Sequence, residues 1–257
     1  AARNYGTDVA LEEGGLRWSY LELETEVRRA AAAFIAAGLR HGDRVAIWAP
    51  NTGRWIVAAL GAQSVGGIVV PLNTRLKGRE ASYILNRSGA RILVHARELL
   101  GTRFADLLAG EALPALEHRI VLDGAEWDEF LAAGASVADA EVTARLQRLR
   151  GEDVADILFT SGTTGQPKGV MSSHAQNIRV FDAWATVVGL VHGDRYLIVN
   201  PFFHAFGYKA GWLACLLRGA TILPLAVFDA DVVLQRIVED RISVLPGAPT
   251  LFQSLLT

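Results

Sequence analysis

With 257 residues, 51% of them hydrophobic and 20% charged, the chain has the composition of a globular protein with ample apolar material for a core. Its formal net charge of −2 argues against a broadly basic surface for nucleic acid or an anionic membrane. The single cysteine, Cys215, excludes an internal disulfide, and the N-terminal residues lack the apolar segment of a signal peptide, so we expect a cytoplasmic location.

Short β-branched runs alternate with longer amphipathic segments in the first half of the chain. Residues 8–19 predict a hairpin around Gly14-Gly15, and Ser19 with Glu22 forms a capping box that begins a helix ending near Gly38. Residues 98–121 carry weaker signals, and the polar stretch 126–151 is interpreted as helical and connecting. The clearer elements are strands near 44–49, 67–72 and 90–96 and helices near 54–65 and 79–87.

The second half continues the alternation, which predicts an α/β fold of parallel-rich sheets flanked by helices in αβα layers. No convincing linker divides the chain, so residues 1–257 are interpreted as one domain. The predicted strands lie near 156–160, 195–200, 220–225 and 242–247, and the predicted helices near 173–187, 204–217 and 231–240 and from Pro249 onward.

A loop of small hydroxyl residues and glycines follows the predicted strand 156–160 in the stretch "DILFTSGTTGQPKGV". Glycines let a backbone turn through positive φ and expose its N–H groups, which together bind anions, phosphate above all. Lys168 adds a mobile positive charge. The alternative is an ordinary surface turn, which four hydroxyls, three glycines and a lysine directly after a strand make a poor explanation. The spacing fits neither a Walker A loop nor a dinucleotide fingerprint.

The segment "LFTSGTTGQPKGV" resembles the signature of the adenylate-forming superfamily, which comprises acyl- and aryl-CoA ligases, firefly-type luciferases and peptide-synthetase adenylation domains. A second motif of that family is similar to "NPFFHAFGY", residues 200–208. Segments near both ends of the chain also match in order, including "GDRVAIWAPN" and "VLPGAPTLFQSLL". The resemblance therefore implies the partial N-terminal domain of an adenylate-forming enzyme.

The resemblance implies a two-step reaction in which a carboxylate attacks the α-phosphate of ATP and a thiol then attacks the acyl-adenylate. ATP, Mg²⁺ carried with ATP, and CoA as co-substrate are the expected cofactors. In the family the glycine loop closes over the β- and γ-phosphates. The residues carried over to that role are Thr160, Ser161, Gly162, Thr163, Thr164, Gly165, Gln166, Pro167 and Lys168.

His204 indicates the branch of the family. Amino-acid-activating relatives carry an aspartate in this motif, whereas here no acidic residue lies between Asp194 and Asp229. An unpaired substrate ammonium would be poorly accommodated, so we expect an acid without an α-amino group. By resemblance, His204 is the catalytic residue and its N–H orients the substrate carboxylate. The alternative is a core histidine bound to a backbone carbonyl.

Residues after His204 border the acyl pocket in the family, and Gly207 and Gly211 are interpreted as leaving room for a bulky group. Lys209 is either solvated at a helix surface or a partner for a polar group of the substrate. The run "FFHAFGYKAGW" resembles actinobacterial ligases that activate propanoate side chains on partly degraded steroid rings. The pocket residues carried over are Phe203, Gly207, Tyr208, Lys209 and Trp212. The histidines lack ligand spacing, so no protein-built metal site is expected.

Family enzymes are considerably longer, and the motifs for adenine, ribose and Mg²⁺ are expected beyond Thr257. We therefore expect little activity from this chain alone, and apolar surface that the remaining protein or a homo-oligomer covers. Small-molecule acid, ATP and CoA are the expected partners, with no nucleic acid and no membrane span. The alternatives are an adenylation domain that loads a carrier protein and a non-catalytic ATP-binding fragment.

Overall fold

A computed structural model describes residues 1–160 and 166–256. The chain divides into two compact units. The first unit contains residues 1–24, 51–53 and 177–257, and the second contains residues 25–50 and 54–176. Among the described residues, no helix is long and apolar enough to cross a membrane.

The strands are mostly short, between two and seven residues. In chain order they are β1 (Val9–Glu13), β2 (Leu16–Ser19), β3 (Arg44–Trp48), β4 (Ile68–Pro71), β5 (Ala90–His95), β6 (Glu98–Leu99), β7 (Thr102–Arg103), β8 (His118–Val121), β9 (Val154–Thr160), β10 (Lys168–Ser173), β11 (Arg195–Ile198) and β12 (Thr221–Pro224).

The helices range from single turns to the 17-residue second helix. A 3₁₀ turn covers Gly134–Ser136 and a π-helix covers Tyr208–Leu213. The α-helices are α1 (Ala2–Tyr5), α2 (Tyr20–Ala36), α3 (Gly53–Ser64), α4 (Gly78–Ser88), α5 (Phe104–Leu107), α6 (Ala125–Ala133), α7 (Asp139–Arg148), α8 (His174–Val187), α9 (Ala205–Gly207), α10 (Ala214–Arg218), α11 (Ala230–Glu239) and α12 (Pro249–Leu255).

The first unit contains a four-stranded sheet in the order β11-β12-β1-β2. Strands β11, β12 and β1 are parallel, and β2 is antiparallel to β1 through the predicted hairpin. Gly14 and Gly15 have φ of 52° and 87°, the conformation that a tight hairpin turn requires. Buried Leu197, Leu223 and Val233 form an apolar cluster in which α11 packs on β11 and β12.

The second unit contains a six-stranded sheet in the order β10-β9-β4-β3-β5-β8, and all of its pairs are parallel except β9 with β10. Its central strand β3 is buried over Val45–Trp48. Such near-continuous apolar strands are typical of parallel sheets covered on both faces. The α/β fold with parallel-rich sheets flanked by helices is therefore confirmed.

The capping box is confirmed as well. The backbone N–H of Ser19 donates to Glu22 Oε2 at 2.7 Å, and the N–H of Glu22 donates to Ser19 Oγ at 3.2 Å. These two bonds satisfy donors that a helix start leaves open, so α2 begins at Tyr20. Gly38, with φ of 77°, follows the helix end as expected.

Two predicted elements differ from the structure, and one strand was not predicted. Strand β10 was not expected, because Val170 and Met171 are exposed and give no buried pattern. The apolar run 242–247 is not a strand but makes one isolated bridge, between Val244 and Tyr196. The predicted helix 204–217 is wrong as a single α-helix, because it consists of α9, the π-helix and α10.

His95 in β5 makes stability depend on pH. Its ring is 4% exposed, and Nδ1–H donates to the Ala96 carbonyl at 2.8 Å. Burial is the main cause that lowers its pKa below the ordinary value of 6.5. The folded state thus binds fewer protons than the unfolded state near the pKa of His95. The contribution of neutral His95 to the free energy of unfolding is complete above pH 6.5 and is lost as the pH falls through the lowered pKa.

We expect the free energy of unfolding to fall as the pH is lowered from about 7 to 5, by at most about 1.4 kcal/mol per pH unit from this one group. In His95→Gln the slope should be smaller, whatever the variant's absolute stability. Urea unfolding followed by tryptophan fluorescence at several pH values measures both slopes. Equal slopes in the two proteins would contradict this assignment.

Candidate functional site

The glycine loop joins two antiparallel strands in the second unit. β9 ends at Thr160 and β10 begins at Lys168, and these two residues face each other across the ladder. Both side chains are exposed. Of the predicted phosphate-binding residues, Ser161, Gly162, Thr163, Thr164 and Gly165 lie outside the described residues. Thr160 and Lys168 therefore lie opposite each other on neighbouring strands at the base of the loop.

Pro167 and Tyr83 connect the loop to helix α4. The Tyr83 hydroxyl donates to the Pro167 carbonyl at 3.4 Å, a long bond that adds little energy but orients the residue before β10. Gln166 is exposed beside it. One end of the loop is thus held by the strand pair and by a side chain from α4.

His204 lies in the first unit, at the start of the short helix α9, and its side chain is exposed. Its Nδ1 accepts a hydrogen bond from the backbone N–H of Phe206 at 3.2 Å. A neutral imidazole has one donor and one acceptor nitrogen, so this bond assigns the proton to Nε2. The alternative of a core histidine would require a buried ring whose N–H donates to a backbone carbonyl. His204 is instead exposed, and its Nδ1 accepts a hydrogen bond.

The π-helix after His204 brings Tyr208, Lys209 and Trp212 together. The Tyr208 and Trp212 rings are stacked with centroids 4.7 Å apart and planes at 16°. Lys209 is 3% exposed, and its Nζ lies 5.8 Å from the Tyr208 centroid, within reach of a cation–π contact. The solvated alternative for Lys209 is therefore wrong. The flanking residues Ala210 and Trp212 are buried as well.

The interpretation of Gly207 and Gly211 as room for a bulky group is wrong. A Cβ on Gly207 would lie 2.2 Å from the Asn200 carbonyl oxygen and 2.4 Å from that of Pro201. A Cβ on Gly211 would lie 3.2 Å from Ile198 Cγ2. Both glycines let backbone and neighbouring side chains approach closely, so neither adds open space. Contact of Phe203, Gly207, Tyr208, Lys209 and Trp212 with an acyl group stays a prediction.

Cys215 and possible metal ligands are the other groups with reactive chemistry. Burial raises the pKa of the Cys215 thiol well above its ordinary value, so the reactive thiolate is disfavoured. Across residues 1–160 and 166–256, no group of three or more His, Cys, Asp or Glu side chains has the arrangement to hold a metal ion.

Solved structures define the class of this fold. The inhibitor-bound N-terminal domain of FACL13 from Mycobacterium tuberculosis superposes with a TM-score of 0.88 at 27% identity, covering 99% of this chain and 62% of that one. ATP-bound MatB from Rhodopseudomonas palustris superposes with a TM-score of 0.83 at 28% identity, covering 98% of this chain and 48% of that one. The fold is that of the N-terminal domain of adenylate-forming enzymes.

The family model described as AMP-binding enzyme matches residues 1–257. The chain therefore belongs to the AMP-binding enzyme family, and the resemblance stated from its motifs is confirmed. It is 45% identical over its whole length to a protein of Rhodococcus jostii and 50% identical over 93% of its length to one of Mycobacterium tuberculosis. Both relatives are named 3-[(3aS,4S,7aS)-7a-methyl-1,5-dioxo-octahydro-1H-inden-4-yl]propanoyl:CoA ligase. The chain spans about half of their length, 52% and 48%.

Proposed function

We propose that the complete protein activates a carboxylic acid without an α-amino group and transfers it to CoA. The observation that carries this is the exposed His204 ring, whose proton is on Nε2 because Nδ1 accepts from Phe206. An N–H held in this way can donate to a substrate carboxylate and orient it for attack. The match to CoA ligases at 45–50% identity supports the same reaction class.

In the first step, one carboxylate oxygen bonds to the α-phosphorus of ATP and the bond to pyrophosphate breaks. His204 Nε2–H is assigned to hold the carboxylate. Lys168 and the hydroxyl of Thr160 are assigned to bind phosphate oxygens of ATP, and Mg²⁺ bound to ATP would supply further positive charge to those phosphates. In the second step, the CoA sulfur, after losing its proton, bonds to the acyl carbon and AMP leaves. Positioning and charge stabilisation supply most of this catalysis.

The proposed substrate class is a propanoate on a fused ring that bears ketone groups. The names of the two relatives describe such a propanoyl group. The motif "FFHAFGYKAGW" led to the same class, and the aromatic pair Tyr208–Trp212 supplies a flat apolar surface near His204 in sequence. The absence of acidic residues between Asp194 and Asp229 supports an acid that carries no amino group.

ATP–pyrophosphate exchange by the complete gene product tests this proposal. We expect kcat/KM for a ketone-bearing fused-ring propanoate to exceed that for octanoate by at least about tenfold, and leucine to give no exchange. Preference for octanoate would contradict the substrate class, and exchange with leucine would contradict the absence of an amino group. We also propose that the 257-residue chain alone shows little exchange, which the same assay measures.

The thiol acceptor is tested in the same preparation. CoA is proposed because the relatives are named CoA ligases. Formation of the acyl-CoA thioester is the expected result. Exchange without thioester formation would instead favour the adenylation domain that loads a carrier protein, and ATP binding without exchange would favour the non-catalytic fragment.

A further inference from the structure

Asn51 is a buried polar residue that the sequence motifs did not single out. It lies between β3 and α3, belongs to the first unit and is 4% exposed. Its amide Nδ2 donates to the carbonyls of Ile198 at 3.3 Å and Asn200 at 2.9 Å. Its Oδ1 accepts from the backbone N–H of Phe202 at 2.7 Å. One side chain therefore binds three backbone groups of the segment that leads into His204.

The same segment also packs closely on the short helix α9. Gly207 packs so closely on the Asn200 and Pro201 carbonyls that a Cβ there would lie 2.2 Å and 2.4 Å from their oxygens. The backbone N–H of His204 donates to the Pro201 carbonyl at 3.0 Å. The peptide before His204 thus contacts both the Asn51 amide and the backbone of α9, and these contacts restrict how far it can shift.

We propose that Asn51 is a positioning residue that sets the place of His204 in the acid-activation step. This inference rests on the proposed role of His204. The pattern of partners requires an amide: two carbonyls need donors and one N–H needs an acceptor. The substitution Asn51→Asp would keep the acceptor but would set a carboxylate oxygen against two carbonyl oxygens. A leucine would leave all three backbone groups without this partner.

A purely structural role would also make Asn51 substitutions destabilising, because buried backbone groups that lose their partners cost free energy. Stability alone therefore does not separate the two roles. Kinetic constants separate the two roles. A misplaced His204 lowers kcat and weakens binding of the acid, which raises its KM. A folded protein in which His204 has not moved keeps the wild-type kcat and KM.

The experiment compares Asn51→Leu and the isosteric Asn51→Asp with Thr221→Val in the complete protein. Thr221 is a matched control in the same unit: it is 6% exposed, and its hydroxyl donates to the Val9 carbonyl at 2.9 Å, away from the His204 segment. ATP–pyrophosphate exchange gives kcat and the KM values for acid and ATP, and the folded fraction of each protein is measured by circular dichroism.

For both Asn51 variants we expect kcat/KM for the acid, per folded molecule, to fall at least about tenfold, with KM for ATP within about twofold of wild type. Thr221→Val should lower the melting temperature yet keep kcat within about twofold. Asn51→Asp supplies the result if Asn51→Leu does not fold. Wild-type kinetic constants in a folded Asn51 variant would overturn the positioning role. A wild-type protein without exchange on any acid would instead overturn the proposed function.

Discussion

Replacing His204 by alanine is expected to lower kcat/KM for the acid by about 100-fold or more in ATP–pyrophosphate exchange, because loss of one preorganised donor at a reacting oxygen has effects of that size. The donor here is Nε2–H, which is fixed in that tautomer because Nδ1 accepts from Phe206. KM for ATP should change little, because the substituted ring is proposed to contact the acid and not the phosphates.

The matched control is His192→Ala in the same unit. His192 is also exposed, and its Nε2 is 2.8 Å from Asp8 Oδ2 while its ring stacks on Tyr5. Its loss should leave the kinetic constants near those of wild type. Equal constants for His204→Ala and wild type would show that this histidine does not act on the acid.

Gly207→Ala should be among the most damaging single-methyl changes in the protein. The new Cβ would lie 2.2 Å from one backbone carbonyl oxygen and 2.4 Å from another, and backbone cannot move aside as a flexible side chain can. We expect a loss of about 3 kcal/mol in the free energy of unfolding, the upper end of ordinary overpacking. Because both carbonyls precede His204, kcat should fall about 100-fold in the molecules that remain folded.

Gly151→Ala is the control for this change, since its Cβ would meet only the Ala175 Cβ at 3.2 Å. The substitution Gly151→Ala should lower the free energy of unfolding only slightly and leave kcat unchanged. Thermal unfolding and exchange assays on both variants test the pair. A Gly207→Ala protein with wild-type stability and activity would mean that the segment before His204 is not held as described.

Local patterns predicted the elements in which one short stretch carries its own signal. Gly14-Gly15, the Ser19–Glu22 capping box and Gly38 each act within a few residues, so the hairpin and α2 were confirmed with their ends nearly in place. The buried strands β3, β4 and β5 were also confirmed, because continuous apolar runs are typical of a covered parallel sheet.

Two missed features, strand β10 and the π-helix, have no signal in the pattern of their own side chains. Strand β10 forms because β9 supplies its hydrogen-bond partners, although its own side chains are largely exposed. The π-helix arises where Gly211 leaves helical geometry, with φ of −92° and ψ of −106°, and no spacing of apolar residues signals that change.

Some residues of the candidate site were predicted from motifs and others were not. Motifs identified His204 and Lys168, because their neighbours in sequence resemble a family. They did not identify Asn51, whose acceptor contact to Phe202 spans 151 positions in the chain. Gly207 of the second motif was interpreted wrongly, because only the three-dimensional structure shows that the Asn200 and Pro201 carbonyls fill the space beside it.

The acid is proposed to react as an acyl-adenylate, and transfer of oxygen from the acid to AMP is the direct test of that intermediate. The complete protein is supplied with ATP, CoA and a fused-ring propanoate labelled with ¹⁸O in its carboxylate, and AMP is analysed by mass spectrometry. We predict one ¹⁸O atom per AMP formed and none in pyrophosphate. Label in inorganic phosphate with ADP as the nucleotide product, or unlabelled AMP beside acyl-CoA, would rule out an acyl-adenylate intermediate.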